Sequence, residues 1–207
     1  MGSCYSKEMN TKKITWYKFK DSFEKFIVKD LEKALQANVE VGVIILTIIG
    51  IESLSGYFSG KNSDIETFKD FINEFMPSYS SHAETLYKCI RNGLLHDYII
   101  KEHEGKCFLF TRNIGENHLQ PVPNTPGWFY LNREQFARDF IKAQKDYFQR
   151  IEMDKKLQER AIHRLSNKGY LDVFSFNTEF YSTSNLPWHY QRVNQAVNIP
   201  CLHSGGF

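Results

Sequence analysis

The run from Val41 to Ile51, between Glu40 and Glu52, carries no charge and constrains the chain more than any other stretch. It has no polar face, so it cannot lie along a wet surface as an amphipathic helix does. Eleven residues are also too few to cross a bilayer, which needs about 20. The run therefore predicts a helix buried on all sides, with the rest of the fold built around it. No secretory segment is read ahead of it, and a cytoplasmic location is expected.

A central helix needs amphipathic neighbours, and the flanking sequence supplies them. From Trp16, the apolar residues Phe19, Phe23, Phe26, Ile27, Leu31, Ala34 and Leu35 recur at steps of three and four, which marks one face of a first helix. Gln36-Ala37-Asn38 ends it, and the central helix then runs to about Tyr57. Gly56, Gly60 and Asn62 break the chain. Ser63 with Glu66 reads as a capping box for a third helix with Ile65, Phe68, Phe71, Ile72, Phe75 and Met76 inward, closed by Pro77. A fourth begins near Ser81 and turns Leu86, Ile90, Leu94 and Leu95 to the core. Asn132 with Gln135 starts a fifth, and a sixth covers about 154 to 167, with Gly169 as its C-terminal cap.

Between the fourth and fifth helices the texture changes. Tyr98-Ile99-Ile100, Cys107-Phe108-Leu109-Phe110 and Trp128-Phe129-Tyr130-Leu131 are short β-like runs, and Glu104-Gly105 offers a turn. Residues 113–127, with three prolines, read as a loop. The expected fold is mainly α, a bundle of five to six helices with a small β-hairpin or three-stranded insertion near 98–131. Residues 1–14 read as a flexible N-terminus and 15–169 as the helical domain. Residues 170–207 read as an aromatic-rich extension packing on the bundle or on a partner. The 17 phenylalanines fit a core or a dimer interface. At 207 residues the chain is long enough to bury that core without staples.

One stretch carries chemistry: Arg91-Asn92-Gly93-Leu94-Leu95-His96. Arginine is always charged and presents a fork of donors to phosphate oxygens. Histidine gives or takes a proton near neutrality. Cleavage of RNA without a metal needs both: a base for the 2′-hydroxyl, an acid for the leaving 5′-oxygen, and donors for the crowded phosphorane. Asn92 has the chemistry to orient the phosphate or the imidazole. On an ideal helix, however, Arg91 and His96 lie about 140° apart, whereas Asn92 and His96 share a face. The arginine then has to reach around, the helix has to begin near Asn92, or a symmetric dimer has to bring two copies together. A purely structural role is the competing reading, with Arg91 paired to Glu52 or Asp97 and His96 satisfied in the interior.

An Arg-Asn-x-x-x-His motif late in a helical bundle, after an apolar central helix, resembles the HEPN superfamily. Its motif is an arginine followed four to six residues later by histidine, often with a polar residue after the arginine. The likeness runs from about Trp16 to Ile151. It extends to Gly50-Ile51-Glu52-Ser53-Leu54, the Phe-rich third helix, Leu86-Tyr87-Lys88 and Leu131-Asn132-Arg133-Glu134-Gln135-Phe136. The resemblance implies a metal-independent endoribonuclease with Arg91, Asn92 and His96 at the cleft of a homodimer, in a toxin–antitoxin or phage-defence setting. An antitoxin is then a possible partner and RNA the substrate. The family also implies an alternative, a non-catalytic dimeric binding module that partners a nucleotidyltransferase or another protein.

The remaining signals are weaker. The net charge of +2 gives no global field to attract nucleic acid. Arg150, Lys155, Lys156, Arg160, Arg164 and Lys168 outnumber Glu152, Asp154 and Glu159 near the last helix. They read first as a solvated face, with a track for an RNA backbone as the alternative. His82, His103, His118, His163, His189 and His203 show no metal-ligand spacing, and Cys201-Leu202-His203 with His189 is a poor zinc set. No glycine-rich phosphate loop is present, so neither metal nor cofactor is expected. Cys4, Cys89, Cys107 and Cys201 form no CxxC and read as free thiols. Met1-Gly2-Ser3-Cys4-Tyr5-Ser6 formally matches a lipidation pattern through Gly2 and Cys4, but nothing else points to a membrane.

Overall fold

In the computed structural model, which describes residues 16–112 and 117–167, six helices and two short strands form a mainly α bundle. The central helix α2, Glu40–Ser59, packs against each of the other five. Val43, Ile44, Ile48, Ile51 and Leu54 on it are fully buried. The apolar run is the N-terminal part of this 20-residue helix, which is long and apolar enough to cross a membrane by length and composition alone. Burial is not complete around its circumference. Val41 is 38% and Ile49 36% exposed, and Ile45 between them is half-buried. This i, i+4, i+8 stripe is the edge of the run that the described neighbours leave open.

Helix α1, residues 16–36, departs from the expected face. It contains a π-helical stretch, Glu24–Val28, in which the Lys29 N–H donates to the Glu24 carbonyl five residues back. One extra residue in the turn rotates the rest of the helix about its axis. Trp16, Phe19 and Phe23 are buried, and the next buried position is Val28, five on, then Leu31. Phe26 and Ile27, expected inward, are only half-buried.

Helix α3, Ile65–Phe75, has its capping box one residue later than expected. Asp64 accepts from the Thr67 N–H at 2.8 Å, and the Thr67 hydroxyl answers the Asp64 N–H at 2.9 Å. Ser63 instead shares a hydrogen bond with Ser55 at 2.9 Å. After Met76 the chain makes a 3₁₀ turn, Pro77–His82, so the regular part of α4 (residues 83–97) begins at Ala83 rather than at Ser81.

The β element is small. Strands β1, Cys107–Thr111, and β2, Trp128–Asn132, pair in parallel, with Phe108 opposite Phe129. The hairpin that Glu104-Gly105 was to make between Tyr98-Ile99-Ile100 and Cys107-Phe108-Leu109-Phe110 does not form, because Tyr98-Ile99-Ile100 is not a strand. Tyr98 takes the left-handed cap of α4 at φ +58°, which turns the chain back instead of extending it. Glu104-Gly105 does form a tight turn, both at positive φ, inside a His103–Lys106 bridge. Antiparallel pairing comes from residues 119–122, whose backbone exchanges hydrogen bonds with Trp128 and Tyr130 on the other side of β2.

Helix α5, Arg133–Met153, starts where expected, with the Asn132 side chain accepting from the Gln135 N–H at 2.9 Å. Its Phe140 ring lies against Gly50 of α2; a Cβ at Gly50 would come within 2.3 Å of it. Helix α6, Lys155–Asn167, is capped by Asp154 through the Leu157 N–H. Much of the phenylalanine surplus is core. Trp16, Phe19, Phe23 and Phe148 make one edge-to-face cluster, and Phe58, Phe71, Phe75 and Tyr147 another. Such pairs add about 0.5–1.5 kcal/mol each beyond their buried area. Gly169 and the expected extension from residue 170 lie outside the described residues, as do Gly2 and Cys4, His189, Cys201 and His203.

Candidate active site

The Arg91 to His96 stretch ends helix α4, and that helix is not regular. Leu86–Arg91 is π-helical, and the Asn92 N–H donates to the Tyr87 carbonyl five residues back. Single π turns inside α-helices recur at functional sites. Leu86, Cys89, Ile90 and Leu94 anchor this segment in the core. Arg91 and Asn92 are therefore held half-buried at its rim, while His96 and Asp97 face solvent.

Beyond Asp97 the chain folds back as a strap. The Ile99 N–H donates to the Gly93 carbonyl at 3.3 Å, and the Lys101 N–H to that of Cys89 at 3.1 Å. Gly93 makes this possible, because a Cβ there would lie 2.2 Å from the Ile99 carbonyl oxygen. Asp97 is taken up by Lys101 within the strap, and that hydrogen bond holds its carboxyl below the usual carboxylate range.

The structure brings Arg91, Asn92 and His96 together within one chain. The Arg91 Nη1 donates to Asn92 Oδ1 at 3.0 Å and meets His96 Nε2 at 3.1 Å. Of the three routes open to this pair, the arginine reaching around is the one used. Their Cα positions do diverge around the axis, but the arginine side chain is long enough to cross over Asn92 and close the gap. Arginine has no acceptor, so a hydrogen bond here makes Nε2 the acceptor and requires the tautomer with its proton on Nδ1.

The other two nitrogens of Arg91 belong to Glu52. Nε donates to Oε2 at 3.1 Å and Nη2 to Oε1, a bidentate pair across α4 and α2. Both side chains are about one-fifth exposed, Arg91 20% and Glu52 19%. The hydrogen bond to Glu52 raises the Arg91 pKa above its ordinary value, against the effect of burial. Of the two carboxylates the sequence offered to Arg91, Glu52 is the one used and Asp97 is not.

Tyr87 completes the site. Its ring lies under the guanidinium at 5.2 Å from the centroid, within cation–π range. Burial raises its hydroxyl pKa, and the charges of Glu52 and Asp64 add to that while Arg91 opposes it. Sequence reasoning placed Tyr87 in the motif's context without giving it a contact. Its position four residues before Arg91 was the available signal, since i and i+4 share a helical face.

Chemically, Glu52 and Tyr87 fix the orientation of the guanidinium and leave Nη1 toward the imidazole. A phosphate oxygen that displaces His96 from Nη1 would find an oriented donor and an imidazole with a free lone pair beside it. The other histidines do different work. His118 accepts from the Asn132 N–H through Nδ1 at 3.0 Å and meets the Tyr79 hydroxyl through Nε2 at 2.8 Å, and Tyr79 donates to Asp139 at 2.7 Å. His82 packs edge-on against Phe129 and Phe108. Among the described residues, no three His, Cys, Asp or Glu side chains converge as a metal site would require. No family model matches the chain, and neither a curated protein nor a solved structure matches it.

Proposed function

We propose that the chain is a HEPN-type endoribonuclease that acts without a metal, as a homodimer, in a toxin–antitoxin or phage-defence setting. The observation that carries this reading is the convergence of Arg91 Nη1, Asn92 Oδ1 and His96 Nε2 at the solvent edge of α4. A half-buried charged cluster that serves packing alone has no need of an exposed imidazole held against its cation.

In this reading Arg91 holds the scissile phosphate through Nη1, with Glu52 as the positioning residue that keeps the fork oriented. The 2′-hydroxyl loses its proton to an imidazole and O2′ bonds to phosphorus. The P–O5′ bond then breaks, and the departing oxygen takes a proton from an acid. The products are a 2′,3′-cyclic phosphate and a 5′-hydroxyl. Base and acid are two roles, and each chain brings one His96 to this site. His96 of the partner subunit supplies the second. Two exposed apolar features on the elements that carry the site support a second copy there: the α2 stripe of Val41 and Ile49, and Tyr98-Ile99 (71% and 56% exposed) after His96.

One observation favours the second reading, a non-catalytic dimeric module that binds a nucleotidyltransferase or another protein. Glu52 neutralises Arg91, as a structural ion pair would. Expression in cells separates the two. The nuclease arrests growth, Arg91→Ala relieves the arrest, and the cleaved RNA carries cyclic phosphate ends. Equal tolerance of wild type and variant, with intact RNA, favours the binding module.

A further inference from the structure

Two turns beyond Glu52, helix α2 reaches Ser59 and Gly60 and meets α6. Residues seven apart on a helix differ by only about 20° in azimuth and about 10 Å along the axis. Ser59 therefore lies on the same side of α2 as the carboxylate that holds Arg91. Here α2 and α6 enclose an open cleft of 640 Å³. Gly60, at φ +75°, lets the two backbones close at its base: a Cβ there would lie 3.1 Å from Arg160 Cβ and 3.3 Å from the Arg160 carbonyl oxygen.

The cleft is basic. Lys61, Lys156 and Arg160 line it, and Glu159 is the acidic residue among its described lining. Glu159 also faces Lys155, 4.0 Å away. Two of the three cations have a structural reason to be there. Lys61 follows the C-terminus of α2, where a helix dipole favours positive charge. Arg160 sits over the Phe58 ring at 5.4 Å. Lys156 has neither reason. It stands with Lys155 in the first turn of α6, next to the Asp154 cap. Three cations and one carboxylate thus line the mouth of a cleft large enough for a ligand.

We propose that the cleft lined by Lys61, Lys156 and Arg160 is a phosphate-binding subsite that holds the backbone of single-stranded RNA beside the scissile phosphate. This rests on the nuclease reading and names its substrate class. Single-stranded RNA fits because the 2′-oxygen must swing in line with the leaving oxygen, which a stacked duplex resists. The basic surplus of α6 is then a backbone track and not only a solvated face.

The test is binding of the full-length chain to a labelled oligouridylate with every 2′-oxygen methylated, which the proposed chemistry cannot cleave. Anisotropy titrations across salt concentrations compare wild type, Lys156→Glu and Lys61→Glu. The two charge reversals should weaken binding by roughly three- to tenfold at 0.1 M salt. They should also make log K against log salt shallower by about 0.7 for each phosphate left unneutralised. If wild type cleaves 2′-hydroxyl RNA but both reversals bind with wild-type affinity and slope, the subsite is overturned and the catalytic reading stands. If the reversals lose binding but wild type cleaves nothing, the subsite stands and the nuclease reading falls. No binding by wild type overturns the subsite.

Discussion

Arg91 gives Nε and Nη2 to Glu52 and keeps Nη1 for Asn92 and His96. That division makes Glu52 testable apart from the chemistry. Glu52→Gln leaves a half-buried guanidinium without its counter-charge, and urea denaturation should show a loss of about 1–3 kcal/mol, the usual worth of a charged hydrogen-bonded partner. A positioning role also predicts a fall in kcat larger than any rise in KM, which a merely structural pair would not give; unchanged stability would mean that Glu52 does not hold the fork. A second residue-scale expectation concerns pH. Burial holds the His118 and His82 imidazoles below their ordinary pKa in the folded chain. As pH falls below about 6.5 the unfolded chain binds protons first, so stability drops on acidification. His118→Asn should flatten the change in melting temperature between pH 7.5 and 5.5, and an equally steep change would assign the effect elsewhere. At this scale the sequence was informative where chemistry is local. Arg91, Asn92, His96 and the Glu52 carboxylate could all be named from it. The Arg91–His96 contact was one of three arrangements left open, because azimuths on an ideal helix describe Cα positions, while the reach of the side chain decides the contact.

The elements follow the apolar pattern in number and order, and they depart from it where the backbone leaves ideal geometry. The π turns in α1 and α4 each insert a residue that apolar spacing does not announce, which is why Val28 and not Phe26 or Ile27 faces the core. The reading of Tyr98-Ile99-Ile100 as a strand failed for a related reason. Those residues have β-like composition, but the left-handed Tyr98 and the bare Gly93 backbone commit them to a strap along α4. Pairing direction was not legible either, because the connection from Thr111 to Trp128 is long enough to permit either sense. Close approach between elements gives this scale its prediction. Gly50→Ala drives a methyl into the buried Phe140 ring, and the core should lose about 1–3 kcal/mol by overpacking, seen as a lower denaturation midpoint. Phe140→Leu in the same chain should recover part of the loss. A Gly50→Ala chain as stable as wild type would mean that α2 and α5 are not held at this distance.

For the whole molecule, the proposed acid–base chemistry needs two imidazoles, and the exposed Val41, Ile49, Tyr98 and Ile99 side chains are where the proposed second copy would sit. Sedimentation should find a dimer, and Ile99→Arg should shift it toward monomer with little change in stability, since the side chain is already exposed. Cleavage should fall in parallel; a monomer that cleaves at the wild-type rate would remove the need for the partner's imidazole. The central claim, that Arg91 and His96 cut RNA by acid–base chemistry, is tested most directly by one rate comparison. Cleavage of single-stranded RNA is measured in excess chelator for wild type and for His96→Ala. Wild type should cleave, and the variant should be slower by roughly 10²–10⁴-fold, the scale of a lost acid–base group. Equal rates for the two proteins, or no cleavage by wild type, would contradict the claim.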